Sequence, residues 1–133
     1  MLSKAVLSQT EVSKILAAAR SEAETNHWAV SISVVDDGGH PLALERLDGC
    51  SPIAAYIAAE KARSAALGRR ETKGYEDMVN GGRSAFLSAP LLTSLEGGVP
   101  VIVDGQVIGA VGVSGVKADQ DAQVAKAGIA ALG

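Results

Sequence analysis

The sequence predicts an α+β fold built on an antiparallel sheet. Three observations predict it. Two stretches of period-two alternation are each folded back by a turn dipeptide, an amphipathic helix precedes the first, and another follows the last. Hairpins make the strands antiparallel, and the helices must cover one or both faces of the sheet. A chain of 133 residues fits one domain spanning 1–133, with no linker and no internal repeat.

The first helix is announced by Ser8 and Glu11, the S-x-x-E pattern of a capping box, with Leu7 and Val12 placed for a hydrophobic staple. Val12, Ile15, Leu16, Ala19 and Ala23 then share one face, and Asn26 is the expected left-handed stop. Trp28, Val30, Ile32 and Val34 alternate with Ala29, Ser31 and Ser33 as a strand. Asp36-Asp37-Gly38-Gly39 turns it into a returning strand with Leu42, Leu44 and Arg46 on one side. Ser51-Pro52 opens a second helix that runs through Ile53, Ile57, Lys61 and Ala65 towards Gly68. Between Arg69 and Ser94 the pattern gives one or two short helices, broken at Gly81-Gly82. Val99, Val101 and Val103 lead into Asp104-Gly105, a dipeptide suited to a type I′ turn, and Val107, Gly109, Val111 and Val113 return. Asp119 is the expected cap of the last helix, whose Ala122, Ala125, Ile129 and Leu132 share a face.

Composition narrows the partners. The net charge is −3, the charges are mixed, and no basic stripe exists, which argues against nucleic acid and anionic membrane surfaces. Four aromatics, Trp28, Tyr56, Tyr75 and Phe86, are too few for a base-stacking platform. No run approaches the roughly 20 apolar residues of a membrane span, and the N-terminal MLSKAVLSQTEV has no apolar core of a secretory signal, so the expected compartment is the cytoplasm. Cys50, the single cysteine, excludes an intrachain disulfide; near a helix start it reads as a small tolerated residue ahead of a nucleophile. A positive mean hydropathy with alanine-rich helices and plain valine faces predicts a homo-oligomer, at least a dimer.

No motif declares a reaction. There is no P-loop, no nucleophile elbow, and no metal-ligand spacing around His27 or His40. The neighbouring carboxylates Asp36 and Asp37 read as turn residues. Gly109, Gly112 and Gly115 in V-I-G-A-V-G-V-S-G carry two readings: close packing of a helix or subunit, or a flat ligand against bare backbone. Gly97-Gly98 likewise either forms an anion-binding nest or merely turns the chain. Arg46 and Lys61, with Glu60 and Arg63 nearby in sequence, either snorkel or line a pocket for a carboxylate. One histidine is enough for haem iron, so His40 or His27 is a candidate ligand alongside the reading of a solvated surface residue.

Taken together, these stretches resemble the GlcG/HbpS family, related to the C-terminal domain of PduO-type corrinoid adenosyltransferases. The resemblance rests on Val34-Val35-Asp36 with Gly39, Arg46-Leu47-Asp48-Gly49, Lys61-Ala62, Gly97-Gly98-Val99-Pro100, the run from Asp104 to Gly115, and Asp121 with Ala125. Ser64, where a threonine is common, and Glu96, where a proline is common, depart from it. The resemblance implies a profilin-like α/β sandwich with a five-stranded antiparallel sheet, and homo-oligomers from dimers to octamers. It also implies a small-ligand binding domain, with haem or a related tetrapyrrole as the expected ligand of a carrier, sensor or scavenger. The alternative it implies is an accessory protein or small enzyme of a glycolate- or diol-type catabolic operon acting on an organic acid, so whether the chain is an enzyme stays open. The residues expected at the ligand site are Arg46, Lys61, Glu60, Gly97, Gly98, Gly112 and Ser114.

Overall fold

A computed structural model describes residues 1–133. The elements run α1 (Gln9–Thr25), β1 (Ser31–Asp36), β2 (Pro41–Arg46), α2 (Pro52–Gly68), α3 (Lys73–Asn80), a 3₁₀ turn (Ser84–Ser88), β3 (Gly98–Val103), β4 (Gln106–Ser114) and α4 (Ala118–Ala130). The sheet has four strands in the order β2-β1-β4-β3, every pair antiparallel. The expected fifth strand does not form. The resemblance implied five strands without locating the fifth; between Leu91 and Gly97 the chain is irregular, with the Thr93 N–H donated to the Ser64 hydroxyl at 2.8 Å. Both edge strands carry a proline, Pro41 and Pro100, each withholding a donor from further pairing.

Two unlike faces follow from the strand alternation. On one, Val30, Ile32, Val34, Val111 and Val113 meet Val12, Ile15 and Ala19 of α1 and Val124 and Ala125 of α4. Burying each large aliphatic there stabilises the fold by about 1.5–3 kcal/mol. The other face consists of small residues, Ser31, Ser33, Val35, Ala110, Gly112 and Ser114, and lies under the alanine side of α2 (Ala54, Ala58, Ala62, Ala65, Ala66). Gly112 sits opposite both Ser33 and Gly98 across the ladder. A Cβ there would fall on the Ala58 carbonyl and the Ala62 nitrogen, so the close-packing reading of this glycine is the one the fold uses.

The helix ends differ from expectation in detail. Ser8 is the N-cap of α1, but its hydroxyl bonds to the Glu11 carboxylate and not to the helix N–H groups. The left-handed residue after α1 is His27 (φ 59°), not Asn26. Trp28 N–H reaches Ala23 O at 2.8 Å and His27 N–H reaches Glu24 O, the bond pair of a Schellman closure. At α2 the left-handed residue is Arg69, since Gly68 is occupied in making room for the Tyr75 ring. The cap of α4 is Lys117, with Gln120 accepting its N–H, so Asp119 lies inside the first turn. The Asp104-Gly105 turn has φ of 52° and 75°, both positive as type I′ requires.

Candidate functional site

The residues expected at the ligand site fall into two groups. Arg46 and Glu60 come together, on the rim of a groove of about 430 Å³ between edge strand β2 and helix α2. Its walls are Leu44, Pro52, Ala55, Tyr56 and Ala59. Strand alternation aims Leu44 and Arg46 at this side, while Glu45 points to α1 and pairs with Arg20. On the helix, Tyr56 and Glu60 are one turn apart, opposite the alanines that pack on the sheet. Two carboxylates near Arg46 are engaged elsewhere, Glu45 with Arg20 and Glu60 with Arg63, and Asp48, which shares the polar cleft with it, forms no ion pair. Arg46 takes part in none of the chain's ion pairs.

Lys61 turns the other way. Its Nζ donates to Val113 O at 2.9 Å and to Asp121 Oδ2 at 3.0 Å, and the two side chains are 4% and 3% exposed. Asp121 Oδ1 accepts the Val116 N–H at 3.1 Å. Burial pushes the Asp121 carboxyl up from its ordinary value, against the pull of Lys61 and of the Val116 N–H. Gly97 (φ 130°) wraps this pair: a Cβ on it would lie 2.8 Å from Lys61 Nζ. The Gly98 N–H is donated to Thr72 Oγ1 at 2.8 Å, so the glycine pair holds no free anion nest. The structure therefore brings Lys61, Gly97 and Gly98 together around a buried ion pair, away from Arg46. Gly112 and Ser114 are buried on the α2 face of the sheet.

Arg46 also borders a second, more polar cleft of about 580 Å³, lined by Arg20, Glu24, His27, Trp28, Glu45 and Asp48 among others. His27 thus shares a cavity with Arg46 but not the apolar groove. His40 lines neither; its Nδ1 is 3.0 Å from Asp36 Oδ1 on the exposed β1–β2 turn. Partial burial opposes ionisation of Asp36, but the N–H groups of His40 and Gly38 and the His40 ring hold its carboxyl below the usual value. Cys50 is buried, 3.5 Å from the Ser31 hydroxyl, and lines neither cavity. No group of three His, Cys, Asp or Glu side chains is placed to hold a metal ion. No helix is long and apolar enough to cross a membrane.

Sequence reasoning missed Tyr56, Leu44 and the partner of Lys61. A signal for Tyr56 existed: Ile53, Tyr56 and Glu60 form an i, i+3, i+7 stripe on a helix whose opposite side is alanine.

Residues 7–130 match the family of haem-degrading HbpS-like proteins. The chain is 71% identical over 114 residues to Protein GlcG of Escherichia coli K12, covering 86% of this chain and 85% of that one. A double mutant of HbpS from Streptomyces reticuli superimposes with a TM-score of 0.90 at 30% identity, over 100% of this chain and 91% of the other. A PduOC–heme complex superimposes with a TM-score of 0.86 at 27% identity, over 96% and 95% of the two chains. With its α+β fold, its four-stranded antiparallel sheet and a family match over nearly its whole length, the chain belongs to the HbpS-like family.

Proposed function

We propose that residues 1–133 act as one binding domain for haem or a related tetrapyrrole, held in the groove between β2 and α2, as a carrier, sensor or scavenger. The observation that carries this reading is Arg46, a guanidinium without an internal partner at the rim of an apolar groove. A tetrapyrrole offers a flat apolar body and carboxylate arms. Leu44, Pro52, Ala55 and Ala59 suit the body, and the Arg46 fork suits an arm. The haem-degrading family and the PduOC–heme neighbour support the same ligand class. The donor set of the groove fits the group, since Tyr56 adds an oxygen donor to these walls. Exposed Ile53 and Leu87, which lie outside the groove, support self-association into a dimer or a larger ring, up to the octamer that the family resemblance implies. The single unpaired cysteine supports a cytoplasmic setting.

A second reading is favoured by the polar cleft, where Arg20, Arg46 and His27 face one space. There the ligand is a small organic acid, and the protein is an accessory factor or small enzyme of a catabolic operon.

Titration of the purified protein with haemin, followed by absorbance, tests the first reading. A saturable Soret shift at low micromolar haemin is expected. Absence of saturation, with a glycolate-type acid raising the melting temperature instead, would overturn it in favour of the second.

A further inference from the structure

The groove contains one feature that neither packing nor ion pairing explains. Tyr56 is 74% exposed, although the other aromatics are used: Tyr75 is buried and stacks on Phe86, and Trp28 packs against the core. It lines the groove together with Leu44 and Glu60.

From this we infer that the Tyr56 phenolate oxygen is the protein ligand of ferric haem iron, an inference that rests on the proposed haem reading of the groove. The two histidines and the cysteine are placed elsewhere, and neither methionine lines the groove. His27 opens into the polar cleft, His40 is held by Asp36 on the β1–β2 turn, and Cys50 is buried beside Ser31. Within the groove the only other oxygen donor on a side chain is the Glu60 carboxylate, which Arg63 already binds. Ferric iron is a hard acid and takes phenolate, as tyrosine-ligated haem proteins show. Ligation is a proton-balanced exchange with no change of oxidation state. The Tyr56 O–H bond breaks, its proton joins the hydroxide leaving the ferric iron as water, and the Fe–O(phenolate) bond forms. Arg46, on the same groove, would remain available to a haem carboxylate.

Two probes separate this inference from the reading beneath it: haemin, which needs an iron ligand, and metal-free protoporphyrin IX, which does not. Each is titrated into the full chain and into Tyr56→Phe, with melting curves confirming that the variant is folded. The expected result is a phenolate-to-iron charge-transfer band and a resonance-Raman Fe–O(phenolate) mode in the haemin complex, both absent in Tyr56→Phe. The preference for haemin over metal-free protoporphyrin should also fall by about tenfold or more in the variant. Tyr56→His should restore tight haemin binding with an imidazole-type spectrum. If both probes bind and Tyr56→Phe leaves the haemin spectrum and the preference unchanged, Tyr56 is not the ligand and the groove reading stands. If neither probe binds the natural chain, the groove reading fails and takes this inference with it.

Discussion

Lys61 Nζ lies 3.0 Å from Asp121 Oδ2, and the contact ties α2 on one face of the sheet to α4 on the other. The pair sits just beyond the last β3–β4 register pair, Gly98 with Gly112, with Val113 O as a third partner. Two layers that share no apolar surface are thus linked by charge. Lys61→Met would leave the Asp121 carboxylate buried without its cation, and removing one partner of such a pair costs about 3–5 kcal/mol. Urea unfolding at neutral pH should show that loss. A loss below about 1 kcal/mol would mean that water reaches the pair.

The pH dependence of this pair has a definite sign. Burial raises the Asp121 carboxyl above its ordinary value of 3.8, so the folded chain holds that proton where the unfolded chain has released it. The resulting stability is full below pH 3.8 and is lost as the pH rises through the raised native value. Measured against Asp121→Asn, which does not titrate, the natural protein should therefore lose ground as the pH rises above 3.8. If it gains ground instead, the attraction of Lys61 outweighs burial.

Gly112→Val places a branched side chain on the Ala58 carbonyl and within reach of Ala62, whose Cβ is 2.9 Å from where a Cβ at 112 would stand. Backbone cannot rotate out of the way as a side chain can. The cost should reach the upper end of overpacking, about 3 kcal/mol. A melting temperature equal to or above that of the natural protein would contradict the packed geometry.

Arg46→Met keeps most of the stem and removes the fork. Because Glu45 and Glu60 are paired with Arg20 and Arg63, no internal ion pair is lost, and stability should change by less than about 0.5 kcal/mol. Haemin affinity should weaken by about 1.5–3 kcal/mol, the worth of a charged hydrogen bond. Unchanged affinity in the folded variant would move the ligand away from Arg46.

His27 closes α1 at φ 59°, a conformation glycine adopts without strain. His27→Gly should raise stability by about 0.5–1 kcal/mol, seen as a higher melting temperature. His27→Val, β-branched in the same place, should lower it. A fall in stability for the glycine variant would mean that the imidazole contributes more than its backbone costs.

How much could be read in advance depended on how local the cause is. The Asp104-Gly105 turn was legible because two neighbouring residues with positive φ decide it. The stop of α1 was misplaced by one residue, from Asn26 to His27, because the closing bonds to Ala23 and Glu24 outrank residue preference. The strand count of five came from overall likeness, whereas the period-two alternation itself marks the four strands that the sheet contains. Arg46 was legible as a rim cation because its strand alternates. The burial of Lys61 was not legible, because its partner is 60 residues further along the chain and only the tertiary fold brings them together. Tyr56 was passed over because helix periodicity marks a side as outward without saying what it faces.

The small-residue face beneath α2 has a consequence for how such a binding site can change over time. With Gly112 pressed against Ala58 and Ala62, the helix rests on a plinth of main chain that admits no added atoms. Ligand preference cannot be retuned from below by swapping core side chains, as it is in many pockets. In the groove proposed above, it would drift along the rim, at Leu44, Arg46, Tyr56 and Glu60, where a substitution leaves the foundation untouched. A fold arranged this way can keep its frame constant while related chains exchange one ligand for another.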